Sequence, residues 1–241
     1  MADPRFYDLN VHLSDGGCNA LEDLSFFAKH LGYSGIALEY TEKAENAGSV
    51  DLEDFEVFSA VEVYVSNASK LHGQIGKCRS KTDVIVVCGG SESINRTAVE
   101  NPNVDVLVKL STPKDNGFNH VLAKEAADNN VAISFDLGDV IQLRGGRRVH
   151  ALMNFRKNLL LVRKYDVPFI LTSNATSYFG MRAPRELIAL AELFGMTRDE
   201  AISGLSSIPE SIISRKHPPS GYIFEGVQEL DSFEDVGADD S

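Results

Sequence analysis

Three polar residues break the apolar run Tyr7–Leu13, YDLNVHL. In a strand, side chains alternate between faces, so Asp8, Asn10 and His12 fall on one face and Leu9 and Val11 on the other. A carboxylate and an imidazole at the C-terminal end of a first barrel strand are groups that bind metals or move protons. A metal phosphoesterase would place a His-x-His pair here. Asn10 stands at the first of those positions, and an amide is a poor metal ligand. The remaining histidines, His30, His72, His120, His150 and His217, do not pair at ligand spacing. Glu39, Glu62 and Asp136 close other β-rich runs and would add carboxylates. Together these six residues read as a vestigial barrel-mouth site whose groups satisfy one another by hydrogen bonds. No metal or other cofactor is expected in the chain.

Other segments carry weaker chemical signals. VVCGGSESINR, Val86–Arg96, is a strand, a glycine pair and a helix start, where free N–H groups could hold a phosphate. It matches neither G-x-x-x-x-G-K-[ST] nor G-x-G-x-x-G, so a tight βα turn is the simpler reading. Ser173, Asn174 and Ser177 follow a strand but lack the G-x-S-x-G of a serine nucleophile. Arg182 and Arg185 flank Pro184 at a helix start, where cations oppose the helix dipole and an anionic ligand would relieve them.

The strongest charge signal is Gln142–Lys164, QLRGGRRVHALMNFRKNLLLVRK, with seven Lys or Arg and no acid in a chain of net charge -12. On a helical wheel, Leu152, Phe155, Leu159 and Val162 form the core stripe. Lys157 and Lys164 face water. Arg156 and Arg163 form a row beside Val149 and Leu160, which suits a protein interface. Arg144, Arg147 and Arg148 sit in or next to a Gly145–Gly146 loop. Cations with no interleaved acid suit phosphate contacts.

The elements that must position these groups alternate. Seven β-rich runs, Tyr7–Leu13, Ser34–Tyr40, Ser59–Val65, Asp83–Cys88, Val104–Leu110, Val131–Leu137 and Pro168–Thr172, are separated by helical segments. The helices are placed at Cys18–Leu31, Ala68–Arg79, Ser91–Asn101, Asn119–Asn130, Arg148–Tyr165, Pro184–Phe194, Arg198–Ser206 and Pro209–Arg215. Alternation of this kind gives βαβ units and a parallel sheet. The expectation is an α/β fold, a TIM-barrel-like (β/α) barrel of seven or eight parallel strands, with a doubly wound open sheet as the alternative. Residues 1–224 form one domain. Residues 225–241 hold seven acids and no Lys or Arg, and without them the charge would be -5, so they read as an acidic, disordered tail. Three scattered cysteines, Cys18, Cys78 and Cys88, argue for free thiols in a reducing compartment. No apolar run is long enough for a membrane span and no signal peptide is visible, so a cytoplasmic protein is expected.

Six segments taken together, FYDLNVH, VCGGSESINRTAVENPNVDVL, LAKEAADNNVAISFDL, GRRVHALMNFRKNLLLVRKYDVPFILTSNA, RAPRELIALAELFGM and GLSSIPESII, resemble the archaeal ribonuclease P protein component three family. Its eukaryotic relative is the thirty-kilodalton subunit of ribonuclease P and ribonuclease MRP. The resemblance runs in order from Phe6 to Ile213 and leaves out the acidic tail. It implies a TIM-barrel-like fold related to the PHP superfamily, without that superfamily's full metal set. It implies a subunit of the tRNA-processing endoribonuclease that removes the 5′ leader from precursor tRNA. In that ribonucleoprotein the RNA holds the catalytic centre and its Mg²⁺ ions. The implied partners are the ribonuclease P RNA, precursor tRNA, a small ferredoxin-like protein subunit in a two-plus-two heterotetramer, and further subunits including an L7Ae-like protein. No membrane is among them. On this reading RNA contacts are expected from Arg144, Arg147, Arg148, Arg156 and Lys157, with Lys114, Arg182 and Arg185, and a protein interface at Arg163 and Leu160. No residue is assigned a catalytic role. Two alternatives follow from the residues: a stand-alone PHP-type metal phosphoesterase using Asp8, His12, Glu39 and Glu62, and a barrel enzyme for a small phosphorylated compound at Gly89–Gly90.

Overall fold

The computed structural model describes residues 4–12, 20–39, 52–111 and 116–216, with the backbone of two short strands at Tyr222–Phe224 and Val227–Gln228. Lys114, Cys18 and most of the acidic segment lie outside the described residues. The short strands pair with each other across the boundary expected between domain and tail.

Seven parallel strands form one sheet in sequence order: β1 Tyr7–Val11, β2 Gly35–Glu39, β3 Glu56–Val63, β4 Val84–Cys88, β5 Val106–Val108, β6 Ala132–Asp136 and β7 Phe169–Thr172. All seven expected strands are present, and among the described residues this sheet has seven. Helices fill the crossovers: α1 Ala20–Leu31, α2 Leu71–Cys78, α3 Glu92–Val99, α4 His120–Asp128, α5 Leu137–Gln142 and α6 Gly145–Tyr165. Three more, α7 Pro184–Glu192, α8 Arg198–Leu205 and α9 Ser207–Ser214, follow β7. The strands are rich in Val, Ile and Leu because they are covered on both faces. One apolar cluster holds Leu9, Ala37, Ala60, Val84, Val86, Val106, Val108 and Ile170, closed by Ile212 and Ile213 of α9. The alternate strand residues, such as Ile85, Val87, Leu107, Ile133 and Leu171, pack in the larger cluster with the helices.

The sheet curls until β1 lies beside β7, making a nearly closed barrel. No β1–β7 ladder forms; side chains join the edges instead. The Asp8 carboxylate accepts from Ser173 N at 2.9 Å, from Ser173 Oγ at 2.6 Å and from Thr172 Oγ1 at 2.5 Å. His12 N donates to Ala175 O at 2.8 Å. The β1–β2 register shifts between Asp8 and Val11. That irregularity overturns simple alternation: Leu9 lies in the inner cluster and Val11 in the outer one.

Two local expectations are corrected. Gly145–Gly146 is not a loop. Both glycines open α6, which starts three residues earlier than the expected Arg148. Helix α5 was not expected at all. Asp136 ends β6 and its Oδ1 accepts from Gly138 N at 3.0 Å, so the strand's last residue caps the next helix.

Candidate functional site

The barrel mouth gathers the residues that end the strands. A cavity of about 360 Å³ is lined by His12, Glu39, Glu62, Tyr64, Lys109, Asn174 and Thr176. His12 Nδ1 lies 3.0 Å from Glu39 Oε2, and its Nε2 lies 2.7 Å from Asn174 Oδ1 and 3.7 Å from Glu62 Oε2. Asn174 Nδ2 donates to Asp136 Oδ2 at 2.5 Å, and Asn10 Nδ2 reaches Asn174 Oδ1 at 3.5 Å. Lys109 Nζ donates to Glu62 Oε1 at 3.1 Å and to Tyr64 OH at 2.7 Å. Burial, then the charge of Asp139, pushes the Asp136 carboxyl up to about 7. Burial also raises Asp8, against hydrogen bonds from Ser173 and Thr172 that lower it. For Lys109, burial works against the charge, but the bond to Tyr64 and the charge of Glu62 outweigh it and hold the ammonium above its ordinary value.

The sequence named five residues of this network: Asn10, His12, Glu39, Glu62 and Asp136. The sixth, Asp8, is spent on the β1–β7 seam. The sequence reading missed Lys109 and Tyr64 and gave Asn174 no place here. Lys109 and Asn174 both have left-handed backbones, with φ of 51° and 47°. Non-glycine residues in that region cost about 1 kcal/mol or more and cluster where side chains must be aimed. Their position just beyond β5 and β7 is the one signal that would have found them.

A PHP-type divalent ion does not fit this donor set. His12, Glu39 and Glu62 bring three ligand atoms within 4.8 Å of one another. Asn10, an amide, is engaged with Asn174, and the Lys109 ammonium is bonded to Glu62.

The basic stretch divides differently from the expectation. Arg148 turns back onto α5, its Nε donating to Leu143 O at 2.8 Å and its NH2 to Ile141 O at 3.3 Å. Arg163 makes a paired contact with Glu200, both at 2.7 Å, and donates to Gly195 O at 2.8 Å. Arg156 donates to Leu193 O at 3.0 Å. Arg182 donates to Phe179 O and Met181 O at 2.9 and 2.6 Å. Four of the expected surface cations are thus committed, wholly or in part, within the chain. Arg144, Arg147, Lys157 and Arg185 are exposed and make no hydrogen bond or ion pair among the described residues. No side chain caps the start of α6 and no acid lies in its first turn. Its first N–H groups therefore point outward between Arg144 and Arg147.

The Gly89–Gly90 turn is filled by protein. A Cβ on Gly89 would lie 2.2 Å from Asn95 Oδ1, and Gly90 N donates to that same oxygen at 3.1 Å. Asn95 Nδ2 in turn donates to Leu110 O and Gly117 O. The pair is a βα turn with no room for the phosphate of the third alternative.

A seven-stranded parallel barrel ringed by helices, whose mouth holds a lysine among its carboxylates, defines an α/β TIM-barrel-like protein. The chain belongs to the family described as RNase P subunit p30, which matches residues 5–218. It is 55% identical to Ribonuclease P protein component 3 of Methanococcoides burtonii over 95% of each chain. It is 46% identical to the protein of that name from Methanosarcina mazei, over 98% of this chain and 100% of the relative. Its fold matches a chain in a cryo-EM structure of archaeal ribonuclease P with mature tRNA, at a TM-score of 0.71 and 22% identity, over 95% of this chain and 100% of the other. A Xaa-Pro dipeptidase shares the barrel at a TM-score of 0.59 and 9% identity, over 89% and 76% of the two chains.

Proposed function

We infer that this chain is a protein subunit of ribonuclease P, the ribonucleoprotein that removes the 5′ leader from precursor tRNA. Its family membership carries this reading. It works by supplying charge and a docking surface, while phosphodiester hydrolysis belongs to the RNA subunit and its Mg²⁺ ions. The contacts to RNA centre on the start of α6. Uncapped N–H groups and the positive end of the helix dipole attract a phosphate. Arg144 and Arg147 add full charges beside them, and Lys157 and Arg185 extend the patch. Arg148, Arg156 and Arg182 act mainly by holding the backbone that presents the others. Lys114 belongs to the same set by sequence. Arg163 orients α8, and Leu160 faces a protein partner. A ferredoxin-like subunit and an L7Ae-like protein are the partners the family relation implies, in a cytoplasmic particle. On this reading no metal or cofactor is held by this chain, because Lys109 already pairs with the Glu62 carboxylate.

The test is precursor tRNA cleavage by the reconstituted enzyme across a Mg²⁺ titration. With Arg144, Arg147 and Lys157 replaced by Ala, activity at limiting Mg²⁺ drops about tenfold and recovers as Mg²⁺ rises. Activity equal to wild type at every concentration contradicts the assignment.

A further inference from the structure

Helix α6 carries an apolar ridge that its own chain leaves open. Val149, Met153 and Leu160 are 56%, 44% and 65% exposed. They fall in one line because steps of four and seven residues return to nearly the same side of a helix. The ridge lies opposite the buried stripe of Phe155, Leu159 and Val162. Arg156 and Arg163 border it on one side, and Lys157 and Lys164 on the other. Leu193, 52% exposed, adjoins the Arg156 edge through the contact of Arg156 with its carbonyl.

This pattern points away from nucleic acid. Val, Met and Leu side chains offer nothing to a phosphate and no ring on which a base stacks. Exposed apolar side chains in a row, rimmed by charge, are the mark of a protein contact. The ridge runs about 16 Å from Val149 to Leu160, at 1.5 Å per residue, or three helical turns. That length and straightness suit one helix lying along another, with its own apolar line against this one. The charge of the partner follows from complementarity. Residues 145–165 contain six Lys or Arg and no acid. Arg163 is already paired with Glu200, but Arg156 and Lys164 at the edges of the ridge have no acid partner among the described residues. Acidic residues flanking an apolar stripe on the partner would meet them.

We propose that the outer face of α6, the Val149–Met153–Leu160 ridge between its two cationic rows, is the docking site for an acidic amphipathic helix of another protein subunit. The proposal rests on the ribonuclease P reading for its setting, since the partner belongs to the same particle. It divides α6 by use: the uncapped start meets RNA, and the ridge meets protein.

The experiment places a photo-crosslinking amino acid at Met153 or Leu160 in the enzyme reconstituted with its RNA and protein subunits. The crosslinked fragment is then identified by mass spectrometry. The expected product is a peptide with apolar residues at three- and four-residue spacing flanked by Asp or Glu. In parallel, M153E/L160E lowers retention of that subunit in the purified particle at least tenfold, with the helical circular dichroism of the isolated chain unchanged. Crosslinks to RNA alone, to a basic or extended peptide, or to nothing in an active particle overturn the proposal. A preparation that never processes precursor tRNA, with wild-type chain included, overturns the ribonuclease P reading instead.

Discussion

At the level of single residues, the barrel mouth is governed by Lys109. Its ammonium holds Glu62 Oε1 at 3.1 Å in a cluster whose His12, Glu39 and Glu62 atoms otherwise have the spacing of cation ligands. A unit charge about 4 Å from an incoming divalent ion repels it by about 8 kcal/mol at an effective dielectric of 20. Lys109→Met therefore binds Zn²⁺ at one per chain, at least about tenfold tighter than wild type by calorimetry, and adding Glu62→Gln removes the gain. Equal affinities in the two proteins would show that Lys109 does not set the mouth's chemistry. Asp136 gives a second prediction. Burial pushes its carboxyl up to about 7, against an ordinary value of 3.8. Between those values the folded state holds a proton that the unfolded state has lost, so stability falls as pH rises and levels off above pH 7. The ceiling of the effect is about 4 kcal/mol at 1.36 kcal/mol per unit. Asp136→Asn flattens this slope in denaturant unfolding measured from pH 4 to 8; an unchanged slope assigns it to other groups. His12, Glu39 and Glu62 were legible as strand-end polar residues. Lys109 and Tyr64 were not, because Lys109 meets Glu62 and Tyr64 only when β3, β4 and β5 are laid side by side.

At the level of elements, the weak point of the barrel is the β1–β7 edge. Asp8 replaces a missing ladder with three side-chain contacts to Thr172 and Ser173. Asp8→Ala leaves the Ser173 N–H and hydroxyl and the Asn10 N–H without their acceptor, while Thr172 Oγ1 keeps Asn10 O. The expected loss is about 2–4 kcal/mol of unfolding free energy, read by urea denaturation. A loss below about 0.5 kcal/mol would mean that packing alone holds the seam. Sequence patterning found every strand of the seven-stranded sheet, since runs such as Val84–Cys88 are apolar on both faces, but not the pair Tyr222–Phe224 and Val227–Gln228. It failed where backbone detail decides. Gly145 and Gly146 read as a loop, yet they begin α6, and Asp136 reads as a strand end, yet it also caps α5. The register shift after Asp8 moved Val11 to the other face, which no periodicity argument could foresee.

At the level of the whole molecule, the RNA contact proposed for a chain of net charge -12 is a local patch. That patch centres on Arg144 and Arg147 at the start of α6, with Lys157 further along the helix and Arg185 on α7. Binding through such a patch weakens with salt as counterions return to the RNA. Replacing Arg144, Arg147 and Lys157 by Ala reduces the slope of log K against log salt by about one unit per lost phosphate contact. An unchanged slope in filter binding would place the RNA contacts elsewhere. The central claim is that this barrel serves ribonuclease P by its surface and not by its mouth. The most direct measurement is precursor tRNA cleavage by the reconstituted enzyme carrying His12→Gln with Glu62→Gln, compared with the Arg144, Arg147 and Lys157 variant. The account predicts cleavage within about twofold of wild type for the mouth variant, and loss at limiting Mg²⁺ for the surface variant. Abolished cleavage with the mouth variant, in a particle that still assembles, would contradict it.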